Sequence, residues 1–325
     1  MDPVSHLLFG RAVALTIRRR PALSGVTAAL VLGSILPDAD AALTLGGFDL
    51  YLRAHASGTH SLPGSVVAAL MLALALRGLV KGSRVLPLLV ASWVGVIGHI
   101  FWDLADGSDI RLFEPLSDAV FGWHLVAMGE PIMLATLAAA ALAAWRWPSR
   151  ARRIAAAALV VLAVLLAVKK TTQEWARALY AGSVVHHAPG AIAIAPTLGR
   201  LRRWTIYDRD GDRVRAWSVD GSSGTVTLAF EYRDAADAPA VMRSRELPVV
   251  RTFLALAKTP FARMERDGPH VLVLWSDASS CSIRGCDVSF GGAFDGDTPL
   301  YQLIRIGGFN QQRAVALNQA LQRSR

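Results

Sequence analysis

The sequence is poor in charged residues and in cysteine, and it lacks the order of a cleaved signal peptide. Only 18% of its 325 residues are charged, 53% are hydrophobic, and the mean hydropathy is +0.37. This composition excludes an ordinary soluble protein and favours a membrane protein over a large buried helical core. Asp2 precedes the first apolar stretch and Arg18, Arg19 and Arg20 follow it, so we expect this stretch to be retained.

The excess of basic residues does not indicate nucleic-acid binding. The formal net charge is +9, but the chain has no zinc-finger spacing, recognition-helix pattern or basic helix with interleaved aromatics. We therefore expect no nucleic-acid partner, and explain the charge by membrane topology instead.

Long apolar runs are confined to the first half of the chain. Six segments can be drawn: Val4 to Ile17, Pro21 to Leu36, Leu62 to Leu76, Leu86 to Trp102, Val126 to Trp145 and Ile154 to Val168. Several are shorter than the ~20 residues of a spanning helix, which is tolerable where helices line a shared cavity. We predict an all-α multi-pass membrane domain at residues 1–170 and a small soluble α+β domain at residues 171–325, with the boundary near Lys169 to Thr172.

The loops between these segments differ in charge on the two sides of the bilayer. One side collects Arg18, Arg19, Arg20, Arg77, Lys81, Arg84, Arg146, Arg150, Arg152 and Arg153. The other collects Asp38, Asp40, Asp49, Asp103, Asp106, Asp109, Glu114, Asp118 and Glu130, with Arg53 and Arg111. The positive-inside rule places the first side in the cytoplasm. The acidic side and the soluble domain are then periplasmic or extracellular, in the inner (plasma) membrane, although Lys169 and Lys170 count against this.

The second half of the chain has the pattern of a small α+β domain. We predict a short helix at Glu174 to Gly182, strands at Trp204 to Asp208, Val214 to Val219, Thr225 to Tyr232, Val271 to Ser276 and Leu300 to Ile306, a helix at Val249 to Lys258 and a final polar helix. Asp-Gly pairs at Asp210 and Asp220 predict hairpin turns between the first three strands.

Three features of this half allow more than one interpretation. Cys281 and Cys286 are compatible with a disulfide in an oxidising compartment and with two buried thiols. Asp208, Asp210 and Asp212 resemble a calcium loop but lack its later glutamate, so a hairpin turn is favoured. His186 and His187 are interpreted as part of a solvated loop.

Histidines mark a candidate site in the first half. Five histidines lie toward the acidic side of the predicted membrane domain: His6, His55, His60, His99 and His124. Ionisable groups near membrane helices are energetically costly to place and are usually functional. Pro37 ends the second segment, and the carboxylates of Asp38 and Asp40 point to the same side if the chain there is extended.

One helix can supply two metal ligands. His99 and Asp103 are four residues apart, so their side chains share one helix face, which Asp106 continues. Imidazole and carboxylate together suit Zn²⁺, with Mn²⁺ or iron as the next choices. The sequence therefore predicts a divalent-metal site.

Several ordered motifs resemble a known family. They are Ser-His-Leu-Leu-Phe-Gly from Ser5, Leu-Pro-Asp-Ala-Asp from Leu36, His55 with Thr59-His60-Ser61, Gly98-His99 with Asp103, and Glu-Pro-Leu-Ser from Glu114. Together they resemble the YdjM/DUF457 family of inner-membrane proteins, whose members are expected to be metal-dependent hydrolases. That family is distantly similar to zinc-dependent phospholipase C and P1-type nuclease.

The resemblance implies both ligands and chemistry. It implies metal ligands at His6, Asp38, Asp40, His55, His60, His99 and Asp103. The chain has only one His-x-x-x-Asp pair, so we expect one or two ions. A separate departure from the family is that it has Ala56 and Ser57 where the family favours Arg-Gly. Two metals about 4 Å apart activate a bridging water and hold phosphoester oxygens, with Asp40 or Asp106 as the proton acceptor.

The substrate class and the alternatives follow from location. A site at the membrane surface predicts a lipid or lipid-linked phosphate as substrate. The alternative is a non-enzymatic membrane scaffold or regulatory protein that binds a partner through its soluble domain. A transporter is disfavoured, since the ionisable residues gather at one face and not at the bilayer midplane.

Overall fold

The first half of the protein is helical. The computed structural model describes residues 2–17, 25–45, 48–55, 58–184, 193–282, 285–296, 298–306 and 309–313. Its first helices are α1 (Pro3–Ile17), α2 (Val26–Gly33), α3 (Phe48–His55), α4 (Leu62–Leu79), α5 (Val85–Asp106), α6 (Pro131–Arg146) and α7 (Ala151–Ser183). Short 3₁₀ helices lie at Pro37–Leu45, Gly58–His60 and Pro148–Arg150. The six predicted apolar segments correspond to α1, α2 and α4 to α7, whereas α3 was not predicted.

Within the described residues, three helices are long and apolar enough to cross a membrane: Leu62–Leu79, Val85–Asp106 and Pro148–Ser183. A fourth crossing results if Val26–Gly33 and Pro37–Leu45, which are bent by 52°, form one broken span. α1 and α6 are shorter apolar helices. The prediction of a helical membrane domain is confirmed at this level.

Glycines allow α1, α2 and α5 to approach closely. A Cβ atom on Gly33 would lie 2.4 Å from the Ser92 carbonyl oxygen, and one on Gly95 would lie 2.3 Å from the Leu30 oxygen. A Cβ atom on Gly10 would meet the Ser34 hydroxyl at 2.2 Å. Helix backbones packed this closely require small residues at the interface. This packing brings the end of α2 against the middle of α5, where the candidate site lies.

Helix α7 continues without a break through Lys169 to Thr172, where the composition changes. The predicted short helix at Glu174 to Gly182 is therefore wrong as a separate element, because it is the last part of α7. The chain divides into two compact units, one of Met1–Trp175 with Ala195–Arg202 and one of Ala176–Ile194 with Arg203–Arg325.

The second half is rich in β-structure, as predicted. One sheet has the order β1 (Ala193–Pro196), β2 (Arg203–Asp210), β3 (Arg213–Asp220), β4 (Thr225–Arg233). Two short helices follow, α8 (Pro239–Ser244) and α9 (Pro248–Leu254). The remaining strands are β5 (Pro260–Asp267), β6 (His270–Asp277), β7 (Cys281–Ser282), β8 (Gly285–Cys286), β9 (Val288–Asp295), β10 (Thr298–Ile306) and β11 (Phe309–Arg313).

The second large sheet has the order β11-β10-β9-β6-β5 and is antiparallel throughout. The strand predicted at Leu300 to Ile306 is confirmed as β10, but it is not the last strand, because β11 follows it. Strands β5 and β9 were also missed, since β5 is charged and β9 contains two glycines, which weakens the strand signal. The predicted polar C-terminal helix lies outside the described residues. Cys281 and Cys286 form a disulfide across the small β7-β8 hairpin.

Candidate metal centre

The structure gathers the predicted ligands from five separate elements. α1 carries His6, the 3₁₀ helix Pro37–Leu45 carries Asp38 and Asp40, and α3 ends at His55. The 3₁₀ helix Gly58–His60 ends at His60, and α5 carries His99 and Asp103. The expectation of an extended chain at Asp38 and Asp40 is wrong, because these residues are in a 3₁₀ helix. Both carboxylates nevertheless approach His60, at opposite edges of its ring.

Three buried side chains form the centre of the cluster. The Nε2 atoms of His60 and His99 are 3.2 Å apart. Asp103 Oδ2 lies 3.0 Å from His99 Nε2 and 3.4 Å from His60 Nε2. The two histidine side chains are fully buried, and that of Asp103 is 1% exposed. Two ring nitrogens and a carboxylate oxygen therefore converge where water is scarce.

His6 and Asp38 extend this centre on two sides. The ring of His6 stacks on that of His99 with centroids 3.7 Å apart, and its Nε2 lies 3.2 Å from Asp103 Oδ1. Asp38 Oδ1 lies 3.5 Å from His99 Nε2 and 4.0 Å from His60 Nε2. Among the described residues, neither His6 Nδ1 nor Asp38 Oδ2 has a hydrogen-bond partner, although both atoms are buried.

His55 and Asp40 form the more open side of the cluster. Both carboxylate oxygens of Asp40 lie 3.2 Å from His55 Nδ1, and one lies 3.6 Å from His60 Nδ1. Asp40 thus contacts the Nδ1 edges of two rings, and the Nε2 atom of His60 faces the centre. His55 is 25% exposed, against none for His60, so the cluster opens toward His55.

The tautomer of His99 is set by a backbone group. His99 Nδ1 lies 2.9 Å from the carbonyl oxygen of Ser34. Because a carbonyl can only accept a hydrogen bond, Nδ1 carries a proton, and a neutral His99 presents the Nε2 lone pair to His60 and Asp103. Such a hydrogen bond on the outer nitrogen is typical of histidines that bind metals.

The spacing of the three central atoms fits a small cation. Four ligands at 2.0–2.1 Å around a tetrahedral Zn²⁺ are about 3.3 Å from one another. The three distances among His60 Nε2, His99 Nε2 and Asp103 Oδ2 are 3.2, 3.0 and 3.4 Å. Two further groups, His6-Asp38-His99 and Asp38-His55-His60, also place their ligand atoms within 4.8 Å of one another. A buried His/Asp cluster able to bind a metal ion is present.

Tyr51 at this site was not predicted from the sequence. Its ring stacks on His55, with centroids 4.8 Å apart. Burial, together with the negative charges of Asp40, Asp38 and Asp103, raises the pKa of Tyr51 to about 12. The phenol therefore stays protonated at neutral pH. Stacking on a histidine depends on the tertiary structure, so no local pattern marks this residue.

Two other residues of the acidic side lie in separate contacts. Asp106 accepts hydrogen bonds from the Ser108 backbone N–H and hydroxyl at 2.9 and 2.7 Å. His124, whose φ is +52°, lies 3.3 Å from Asp109 Oδ1 through its Nε2. Among the described residues, neither Asp106 nor His124 belongs to the His/Asp groups whose ligand atoms lie close enough to hold a metal ion.

In the β-rich unit, Asp208, Asp210 and Asp212 belong to the predicted β2-β3 hairpin. Asp210 pairs with Arg213 at the end of the β2-β3 ladder. Asp208 points to Arg215, with Arg215 Nε 2.8 Å from Asp208 Oδ1, and it also accepts a hydrogen bond from the Tyr180 hydroxyl. Its charge is thus balanced by an arginine. His186 and His187 lie outside the described residues.

Comparison with known proteins supports the membrane assignment. The family model of the YdjM inner membrane protein matches residues 1–176. Searches of the curated proteins and of the solved structures found no match, and the more distant likeness to zinc-dependent phospholipase C and P1-type nuclease stays a prediction. The matched region is more than half of the chain and contains the candidate spans α4 and α5 and the whole His/Asp cluster. The protein therefore belongs to the YdjM inner membrane protein family.

Proposed function

We propose that this protein is a membrane-bound metal-dependent hydrolase that cleaves a phosphoester of a lipid or lipid-linked substrate. The observation that carries the proposal is the buried convergence of His60, His99 and Asp103, whose ligand-type atoms lie within 4.8 Å of one another. Residues 1–170 are assigned to the hydrolase-like membrane domain, and residues 171–325 to a soluble domain outside the cytoplasm.

The metal ligands are drawn from the seven predicted residues. Six of them form three overlapping groups of ligand-type residues: His6, Asp38, His55, His60, His99 and Asp103. Asp38, His60 and His99 each belong to two of these groups. This overlap supports one or two ions in one centre. Mixed imidazole and carboxylate ligands favour Zn²⁺, with Mn²⁺ as the alternative. A bound divalent ion supplies a Lewis acid that lowers the pKa of a water molecule and polarises phosphoryl oxygens.

Asp40 is the better supported of the two predicted proton acceptors. Its carboxylate lies between His55 Nδ1 and His60 Nδ1, on the side where the cluster opens. There it orients both rings and can take up a proton released near His55. Asp106 remains the other candidate, but its Oδ1 atom is already hydrogen-bonded to the backbone N–H and hydroxyl of Ser108.

One observation supports a non-cytoplasmic location of the cluster. The disulfide between Cys281 and Cys286 suits an oxidising compartment.

An activity screen tests the proposal. Protein purified in a neutral detergent would be incubated with short-chain phosphatidic acid, a short-chain phosphodiester lipid and soluble nitrophenyl phosphates, with Zn²⁺, Mn²⁺ or EDTA. We expect metal-dependent release of phosphate or alcohol by the wild type, its loss in His60→Ala, and its retention in His270→Ala, which alters a histidine of β6. Metal-loaded protein with no turnover on any of these substrates contradicts the hydrolase and favours the scaffold alternative.

A further inference from the structure

A mostly irregular segment, with an isolated β-bridge between Ile110 and Phe121, joins α5 to α6 beside the metal cluster. Residues 107–130 include Phe113, Leu116, Phe121 and Trp123, which are 41%, 85%, 36% and 43% exposed. The turns of this segment leave backbone groups that cannot be placed in hydrocarbon. Large apolar side chains on such a segment suit the membrane–water interface, where aromatic residues concentrate.

Hydrogen bonds tie this segment to the loop that carries His60. The Leu62 backbone N–H donates to the Leu112 carbonyl at 2.8 Å. The Gly58 backbone N–H donates to Glu114 Oε2 at 3.2 Å. The segment around Arg111 to Glu114 therefore lies against residues 58–62, with His60 between the two contacts.

Among the described residues, no ion pair compensates the charge of Arg111 in this segment. In the part of the chain that the structure describes, its guanidinium makes no ion pair or hydrogen bond, and its Nε is buried. The nearest acidic residues in sequence are engaged elsewhere, Asp109 with His124 and Glu114 with Gly58. A half-buried guanidinium without a partner is costly, because its donors have lost water and gained nothing.

We propose that Arg111 binds the phosphate of a membrane amphiphile, with the alkyl chain lying along Phe113, Leu116 and Phe121. The planar guanidinium matches a phosphate with paired hydrogen bonds, and the exposed apolar side chains beside it match the alkyl chain. The site is separate from the metal ligands and would hold the headgroup beside the loop that carries His60. It rests on the proposed function only in treating this amphiphile as the substrate.

The binding can be measured without turnover. The probe is dodecylphosphonate, whose carbon–phosphorus bond is not a phosphoester, and methylphosphonate provides the same headgroup without the chain. Binding would be followed by calorimetric titration of the full-length protein in neutral maltoside micelles. The variants are Arg111→Gln, Arg111→Lys and, as a matched control, Arg146→Gln, which alters an exposed arginine at the other end of α6.

We expect wild type to bind dodecylphosphonate more tightly than methylphosphonate. Arg111→Gln should weaken dodecylphosphonate binding about tenfold or more, Arg111→Lys should weaken it less, and Arg146→Gln should leave it unchanged. Metal content would be measured in each variant. If Arg111→Gln loses its metal, the binding measured for Arg111→Lys, which keeps the charge, decides the test.

Three outcomes overturn the inference. One is wild-type affinity in an Arg111 variant that retains its metal. Another is equal weakening in Arg146→Gln, which indicates general attraction of the phosphonate to basic residues. Equal affinity for methylphosphonate overturns the assignment to an amphiphile. A wild type that binds dodecylphosphonate through Arg111 but hydrolyses nothing contradicts the proposed hydrolase and leaves this site standing.

Discussion

The Nε2 atoms of His60 and His99 lie 3.2 Å apart. His60 is the last residue of the 3₁₀ helix Gly58–His60, and His99 lies within α5. His99 donates its Nδ1 proton to the Ser34 carbonyl, so its neutral form offers a lone pair to this gap. Asp103 Oδ2 closes the third side. Such an arrangement favours a bound cation over an empty polar pocket, because a divalent ion can coordinate all three of these ligand atoms.

The first prediction concerns Asp40 as the residue that orients His55 and His60. Asp40→Ala should lower metal affinity about 10–100-fold, the range typical of residues that hydrogen-bond to metal-binding histidines. Asp40→Asn should lower the metal affinity less than Asp40→Ala does, since an amide oxygen can still accept one of the Nδ1 protons. Competition with a chelating dye measures both affinities. Equal affinity in wild type and Asp40→Ala, with the fold retained, contradicts this role.

The second prediction concerns the close packing of α2 on α5. Gly95→Leu forces a side chain against the Leu30 carbonyl and should destabilise the protein by about 1–3 kcal/mol. It should also lower metal occupancy, because it displaces Ser34 from His99. Gly78→Leu in α4 is the matched control, since a Cβ there meets nothing within 4 Å. Thermal unfolding and metal analysis would decide, and similar losses in both variants would refute the packing argument.

These glycines also show what could be predicted from the sequence. The His and Asp members of the cluster could be identified because ionisable residues stand out near the ends of apolar segments. The close approach of α2 to α5 could not, since Gly33 and Gly95 resemble any other glycines of an apolar helix. The Ser34 carbonyl is a backbone group and has no sequence signal. The 3₁₀ helix at Pro37–Leu45 could not be predicted either, because Pro37 indicates only the end of the preceding helix.

The third prediction concerns the stability of the β-rich unit in acid. Burial opposes ionisation of Asp277, but hydrogen bonds donated by Ser279 and Thr259 outweigh burial and hold its pKa below the ordinary value. This carboxylate therefore stabilises the fold above about pH 4, the unfolded value, and its contribution is lost as the pH falls through the lower folded pKa.

Hydrogen exchange of the full-length protein measures this effect. Residues 258–282 should lose protection on acidification below about pH 4. At pH 7, Asp277→Ala should reduce their protection by about 1–3 kcal/mol, because the N–H groups of Lys258 and Thr259 lose their acceptor. Asp295→Ala, at the exposed end of β9, is the control. Unchanged protection in Asp277→Ala at pH 7 would show that the carboxylate does not stabilise this region.

The fourth prediction concerns orientation in the membrane. Single cysteines would be placed at Ser222, in the β3-β4 turn, and at Ser149, between α6 and α7. A membrane-impermeant maleimide should label Ser222→Cys in cells with a permeabilised outer membrane, and Ser149→Cys only after lysis. Wild type corrects for any labelling of Cys281 and Cys286. The reverse pattern would place the cluster in the cytoplasm.

Elemental analysis of the purified protein tests the central claim most directly. Wild type prepared in a metal-free neutral detergent should carry about one or two divalent ions per chain, with zinc as the expected metal. His60→Ala and His99→Ala should lose most of it, and His270→Ala should retain it. Wild-type protein that is folded, contains no divalent metal and binds neither added Zn²⁺ nor Mn²⁺ would contradict the account.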